Sequence, residues 1–117
     1  MIVLVCGGRK YADKEYLKTM LDAVHEQRAI TLLIQGGATG ADTLAAEWAL
    51  KNEINYRTYP AKWKRIGDKS AGMKRNKEML DDNPNIDLLV AFDGGVGTAG
   101  MVKLAKERDI AVLEAFT

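Results

Sequence analysis

Cysteine and histidine are almost missing from this 117-residue sequence, which contains one of each. A single cysteine, Cys6, cannot form an internal disulfide, and the chain has no CxxC pair. With His25 as the sole imidazole, a structural zinc site is strongly disfavoured. We therefore expect no metal site and no cofactor. Cys6 is interpreted as a small core residue and His25 as a residue on a helix surface.

The chain also lacks long hydrophobic runs and a charge of one sign. Its apolar runs are too short to cross a bilayer, and "MIVLVCGG" has no charged segment before it, so we expect neither a membrane span nor a secretory signal. A cytoplasmic location is the default expectation. The net charge of +1 predicts no bulk attraction to nucleic acid or to membranes. Apolar residues, at 47%, suffice for the core of one domain spanning residues 1–117.

Short β-branched runs alternate with amphipathic patterns along the chain. "IVLVC" is typical of a strand buried on both faces, and Asp13 can cap the helix that follows. Ala41, Leu44, Ala45 and Trp48 recur at helical spacing. The third run is more polar, which indicates an edge strand, and Pro60 ends it. The predicted strands cover 2–6, 31–35, 54–60, 86–92 and 110–115. The predicted helices cover 13–28, the stripe from Ala41 to Trp48, about 70–82, and 97–108, with a loop at 61–69.

The alternation of strands and helices predicts the α/β class. Parallel strands joined by helical crossovers give helices on both faces of the sheet. We predict a single Rossmann-like, three-layer domain whose five-stranded parallel sheet has the order 3-2-1-4-5. Ligands of such sheets bind at the carboxyl ends of the strands, where the order reverses.

Glycine-bearing loops follow predicted strands 1, 2 and 4, which are neighbours in that order. Their sequences are "CGGRK", "QGGATGAD" and "DGGVGTAG". Glycine permits close approach of backbone N–H groups to a ligand, and helix N-termini favour anions such as a phosphate. Glycine turns after strands also occur for plain steric reasons, so the convergence of three loops is the stronger signal. The predicted ligand-binding residues are Gly7, Gly8, Arg9, Gly36, Gly37, Gly40, Asp42, Arg75, Asn76, Gly94, Gly95, Gly97 and Thr98.

Several of these residues have two interpretations. Asp42 either stabilises its helix N-terminus or bonds ribose hydroxyls, and Thr98 caps its helix or donates to a phosphate. The stretch 62–77 holds seven of the 17 Lys and Arg residues. It is either a solvated face or a polyanion clamp in which Arg75 binds phosphate bidentately. Trp63 could stack on a base or pack over the loop.

Two common nucleotide motifs are absent. The chain has no GxxxxGK[ST], which excludes a P-loop NTPase. It also lacks GxGxxG after strand 1 with an acidic residue on strand 2, which disfavours ordinary NAD binding.

Four segments together resemble the SLOG superfamily, specifically its YspA/YpsA-like branch. They are "VCGGRKYAD", "QGGATGADTLAAEWA", "YPAKWKRIGDKSAGMKRNKEML" and "VAFDGGVGTAGMV", and they cover nearly the whole chain. The resemblance implies a Rossmann-like fold, binding of nucleotides or nucleotide-derived ligands, and an origin in bacteria or phages. Relatives of this branch include the Lonely Guy phosphoribohydrolases and the DNA-processing protein A, which binds single-stranded DNA.

The resemblance also assigns residues. "GMKRNKEM" is similar to the Lonely Guy segment that carries a functional arginine, here Arg75. "DGGVGT" is similar to that family's Pro-Gly-Gly-x-Gly-Thr loop, which implies phosphate contacts at the loop glycines and Thr98. Asp93 replaces the usual proline and adds a negative charge beside the anion site. Gly100 and Met101 replace the catalytic glutamates, so cleavage by that mechanism is disfavoured unless Asp93 or Asp42 acts as the acid.

Three functions are compatible with these residues. The chain binds a small nucleotide-derived ligand, such as one like ADP-ribose, in the manner of a sensor; this is the reading we favour. Alternatively it hydrolyses the N-glycosidic or phosphoester bond of such a ligand. The least favoured alternative is a binder of single-stranded nucleic acid that uses the 62–77 stretch. A homo-oligomer is compatible with the sequence.

Overall fold

The computed structural model describes residues 1–60 and 71–117. The predicted loop at 61–69, Trp63 and much of the basic stretch lie outside the described residues. Nine elements alternate along the described chain, as the sequence predicts. They are β1 (Ile2–Cys6), α1 (Lys14–Gln27), β2 (Leu32–Gln35), α2 (Ala41–Lys51), β3 (Asn55–Thr58), α3 (Ala71–Asp82), β4 (Leu88–Phe92), α4 (Val96–Glu107) and β5 (Ala111–Ala115).

The five strands form one parallel sheet in the order β3-β2-β1-β4-β5. This confirms the predicted order and the α/β class. On the central strand, Leu4 stands opposite Ile34 of β2 and Leu89 of β4. The four residues of β3 are all exposed, in agreement with the edge position predicted from its polar composition. β1 and β4 are buried from their second residue onward.

Alternate residues of β1 face two separate helix layers. Val3 and Val5 belong to a core that includes Leu17 and Leu21 of α1 and the apolar stripe of α2. Leu4 and Cys6 point the other way, into a second core built with α3 and α4. The two-residue period of the strand therefore divides its side chains between the two faces of the sheet. The result is the predicted three-layer, Rossmann-like arrangement.

Of the two capping residues predicted from the sequence, the structure confirms one. Asp13 caps α1, because its carboxylate accepts a hydrogen bond from the N–H of Tyr16 at 3.1 Å. The proposed capping role of Thr98 is wrong, since α4 begins one residue earlier than predicted and Gly95 occupies the capping position. Thr98 therefore lies within the first turn of α4, after the capping position.

His25 differs from its predicted surface position. Its side chain is half-buried, and Nδ1 accepts a hydrogen bond of 2.9 Å from the N–H of Ile30. The ring also meets Trp48 edge-on, with centroids 5.8 Å apart. His25 thus closes the end of α1 against the chain that enters β2.

Candidate functional site

The loops after β1, β2 and β4 touch one another at the carboxyl edge of the sheet. The N–H of Gly8 donates to the carbonyl of Asp93 at 2.8 Å, which joins the first loop to the third. The carbonyl of Gly8 accepts from the N–H of Ala41 at 3.2 Å, which joins the first loop to the start of α2. The predicted convergence of the three loops is therefore present, because β2 and β4 both pair with β1.

A crevice of about 910 Å³ opens where these loops meet. Its volume lies in the range of small-molecule sites, roughly 300–1,000 Å³. All the predicted ligand-binding residues line it except Gly37 and Gly40. Those that line it are Gly7, Gly8, Arg9, Gly36, Asp42, Arg75, Asn76, Gly94, Gly95, Gly97 and Thr98.

Gly37 and Gly40 shape the second loop from outside the crevice. Both have positive φ angles, 72° and 79°, which side chains rarely adopt. A Cβ at Gly40 would also run into the backbone of Gly8 and Arg9, and one at Gly37 would lie 2.7 Å from the Thr58 methyl group. The steric explanation of a glycine turn accounts for these two residues.

Gly95 and Gly97 show the opposite behaviour. A Cβ built at either position meets no atom of the described chain within 4 Å. Packing of the described residues therefore does not require glycine there, although both positions line the crevice. Glycine at these points leaves room for a ligand to approach the backbone of α4.

The N-terminus of α4 forms one wall of the crevice. Its capping residue, Gly95, has no side chain that could accept from the first N–H groups, and the first backbone bond of the helix runs from the N–H of Ala99 to the carbonyl of Gly95. The N–H groups of Val96, Gly97 and Thr98 precede that bond, so they have no partner inside the helix. They carry the positive end of the helix dipole.

Arg75 and Asn76 extend from α3 to the other loops. Arg75 donates from Nη1 to the carbonyl of Gly36 at 2.6 Å and from Nε to the Asn76 side-chain oxygen at 2.9 Å. The Asn76 amide nitrogen donates to the carbonyl of Gly97 at 3.3 Å. Burial lowers the pKa of Arg75; nearby Asp42 opposes that shift and nearby Arg9 adds to it. The start of α3 is thus joined to the second loop and to α4.

Asp42 lies buried beneath the second loop, with 5% of its surface exposed. Its carboxylate accepts hydrogen bonds from the N–H groups of Ala38, at 3.2 Å, and Gly36. Burial raises the pKa of Asp42, while these two bonds and the charge of Arg75 act in the other direction. The acidic side chain thus stabilises the turn that precedes its own helix.

Asp93 turns toward the end of the chain. Its carboxylate accepts a hydrogen bond of 2.6 Å from the Thr117 hydroxyl and two of 3.2 Å from the Thr117 N–H. Both residues line the crevice. Asp93, which replaces the proline usual in the Lonely Guy loop, therefore has hydrogen-bond partners within the protein.

Some crevice residues escaped the sequence analysis. Cys6 was assigned to the core, and it is buried, but it also lines the floor of the crevice. Burial raises the pKa of its thiol to about 12, with Asp42 adding to the increase, so the thiol stays protonated at neutral pH. Tyr11, Asp13, Met73 and Val96 line the walls. The position of Tyr11, within the turn that follows Gly7 and Gly8, was the available sequence signal.

Metal-binding clusters and membrane-spanning helices are absent from the described residues. Across residues 1–60 and 71–117, no group of three or more His, Cys, Asp or Glu side chains is placed to hold a metal ion. Within the same ranges, no helix has the length and apolar character needed to cross a membrane.

Two comparisons with known proteins bear on the identity of the chain. The chain is 29% identical to the Gene 61 protein of Mycobacterium phage D29 over 117 residues, covering 95% of this chain and 93% of that protein. The family described as the YspA, cpYpsA-related SLOG family matches residues 1–66, which is more than half of the sequence. The resemblance drawn from the four sequence segments is confirmed, and the chain belongs to the YspA, cpYpsA-related SLOG family.

Proposed function

We propose that this protein binds a nucleotide or a nucleotide-derived phosphate ligand, such as one like ADP-ribose, in the crevice between its glycine loops. Membership of the SLOG family indicates nucleotide-related binding or processing in general terms. The proposal of a phosphate ligand rests on the N-terminus of α4, where the capping residue has no side chain. This N-terminus lines the same crevice as Arg75. It includes Gly95 and Gly97, where a Cβ would meet no described atom within 4 Å.

The charges around the crevice favour an anion at the α3–α4 side. Arg75 and Arg9 both line the crevice, and the pKa of Arg75 is lowered chiefly by burial, raised by the charge of Asp42 and lowered further, to a smaller extent, by the charge of Arg9. Two guanidinium groups near each other repel, and a bound phosphate would relieve that repulsion while accepting their hydrogen bonds. Backbone N–H groups at the start of α4 supply further donors without adding bulk.

The carboxylates in the crevice favour binding over cleavage. Asp42 accepts from loop N–H groups, and Asp93 accepts from Thr117. Asp13 serves as the cap of α1. Gly100 and Met101 cannot act as acids, and Met101 is fully buried. Each aspartate that lines the crevice in the described part of the chain already holds a structural hydrogen bond, so we rank hydrolysis second.

Binding of single-stranded nucleic acid ranks third. It depends on Trp63 and on basic residues at 62–70, which lie outside the described residues, and the net charge of +1 offers no general attraction.

A thermal-shift screen tests the proposal. The purified chain is heated with AMP, GMP, CMP, UMP, ADP, ATP and ADP-ribose, and each mixture is then separated by chromatography to detect products. A ligand at 100 times its Kd should add about 2.7 kcal/mol to the free energy of unfolding. We expect stabilisation by at least one compound with no product formed. Product formation would favour the hydrolase, and no shift with any compound would contradict the proposal.

A further inference from the structure

Tyr11 contains an unpartnered polar group beside the crevice. Among the described residues, its hydroxyl is the only buried side-chain oxygen or nitrogen with no hydrogen-bond partner. An unpaired buried hydroxyl destabilises a protein, so native structures seldom keep one without a use. The Tyr11 side chain as a whole is half-buried and lines the crevice.

The surroundings of Tyr11 hold its ring but leave the hydroxyl unpaired. The ring packs on Phe92 with centroids 5.4 Å apart, and the Tyr11 N–H donates to the carbonyl of Gly8 at 3.2 Å. Burial raises the pKa of the phenol to about 12, and the carboxylates of Asp13 and Asp93 add to that increase. The hydroxyl is therefore a neutral donor at physiological pH, and it shares the lining of the crevice with two acidic side chains.

We infer that the Tyr11 hydroxyl is a specificity-determining group that donates a hydrogen bond to a sugar hydroxyl of the ligand. This inference rests on the proposed function. A phosphate oxygen fits poorly as the acceptor, because Asp13 and Asp93 would repel its negative charge. A sugar hydroxyl carries no charge, accepts from the phenol and can donate its own proton to a carboxylate.

The turn that carries Tyr11 permits this contact. The side chains of Arg9, Lys10, Ala12 and Asp13 on either side of it are exposed. The ring itself stays packed on Phe92, so uncovering the hydroxyl requires movement of the side chains beside it, and the bond gained compensates for that movement. The crevice then has an anion-binding side near Arg75 and a sugar-binding side near Tyr11.

The test compares Tyr11→Phe, which removes only the hydroxyl, with wild type and with Tyr16→Phe. Tyr16 is the matched control because it packs edge-on against the same Phe92 ring, with centroids 6.3 Å apart, and does not line the crevice. The probes are the ribonucleoside monophosphate that binds wild type most tightly and its 2′,3′-dideoxy form, measured by calorimetric titration. Melting temperatures without ligand are recorded in parallel.

We expect Tyr11→Phe to melt at or above the wild-type temperature, by up to about 4 °C, because an unpaired hydroxyl is removed. Its affinity for the ribonucleotide should fall roughly three- to tenfold, while its affinity for the dideoxy form stays at the wild-type value. Tyr16→Phe should retain wild-type affinity for both probes.

Three other results of these measurements would contradict the inference about Tyr11. A clear fall in the melting temperature of Tyr11→Phe would mean that the hydroxyl has a partner inside the protein. Unchanged affinity for the ribonucleotide would exclude Tyr11 from the site, and an equal loss for both probes would exclude the sugar contact. In each of these cases the proposed function survives. If no monophosphate binds wild type, the inference fails, and the full screen decides whether the proposed function fails with it.

Discussion

Arg75 of α3 donates from Nη1 to the carbonyl oxygen of Gly36 at 2.6 Å, so a cationic side chain proposed to bind phosphate also supports the second glycine loop. A Cβ at Gly36 would lie 2.7 Å from the central guanidinium carbon and 3.0 Å from the carboxylate of Asp42. Gly36 is therefore enclosed between the two charged side chains. Arg75 therefore contributes both to the conformation of the second glycine loop and to the proposed anion site.

Replacing Arg75 should affect both properties. We expect Arg75→Ala to weaken phosphate-ligand binding about ten- to hundredfold and to lower the free energy of unfolding by about 1–3 kcal/mol. Arg75→Lys should recover part of each loss, since an ammonium keeps the charge but loses the planar fork. Calorimetric titration and urea denaturation measure the two effects. Equal affinity for all three proteins would show that Arg75 supports the loop and does not bind the ligand.

Two glycines of α4 provide a test of whether the ligand binds in the crevice against this helix. Gly97 lines the crevice and Gly100 does not, yet a Cβ at either meets no atom of the described chain within 4 Å. Alanine at each should leave stability unchanged or raise it by up to about 1 kcal/mol. Only Gly97→Ala should weaken ligand binding, because it adds a methyl group to a residue that lines the crevice. Identical titration curves for both variants would contradict the placement of the ligand against α4.

Gly40 should respond in the opposite way to Gly97. Its φ of 79° and the nearby backbone of Gly8 and Arg9 leave no room for a side chain. We expect Gly40→Ala to lower the free energy of unfolding by roughly 3 kcal/mol. Gly100→Ala serves as the control in the same denaturation experiment. A stable Gly40→Ala protein would mean that the second loop has another conformation.

Asp42 should make stability depend on pH. Its folded-state pKa is raised, chiefly by burial, so the folded protein holds the proton more tightly than the unfolded chain does. Its contribution to stability is consequently greatest at low pH and falls as pH rises from the ordinary value of 3.8 through the raised one. Asp42→Asn lacks this titration. The difference in free energy of unfolding should therefore move in favour of the variant over that window, and a constant difference would contradict the assignment.

Asp93 should modulate anion affinity. Its carboxylate lines the crevice, and Asp93→Asn removes one negative charge while keeping an oxygen that can accept from Thr117. We expect affinity for a phosphate ligand to rise about two- to fivefold at low salt and the gain to shrink at high salt. Titrations at two ionic strengths provide the measurement. Weaker binding by the variant would indicate that Asp93 contacts the ligand directly.

Much of the fold could be predicted because its signals are local. Val3 and Val5 alternate with Leu4 and Cys6, and this two-residue period already assigns them to opposite faces of the sheet. The polar composition of β3 indicated its edge position, and Asp13 marked the start of α1. The strand order then brought three glycine loops to one edge, since neighbouring parallel strands end on the same side.

The roles of individual side chains in the crevice were decided by the tertiary structure. Gly37 and Gly97 are both glycines in glycine-rich segments, yet Gly37 adopts a positive φ in a loop and Gly97 faces open space in the first turn of α4. Nothing near Arg75 in the chain indicates the Gly36 carbonyl 39 residues away. The unpaired hydroxyl of Tyr11 likewise exists only once Phe92 fixes the ring. Periodicity and turn chemistry are properties of neighbouring residues, whereas burial and hydrogen-bond partners depend on which distant segments the strand order brings together.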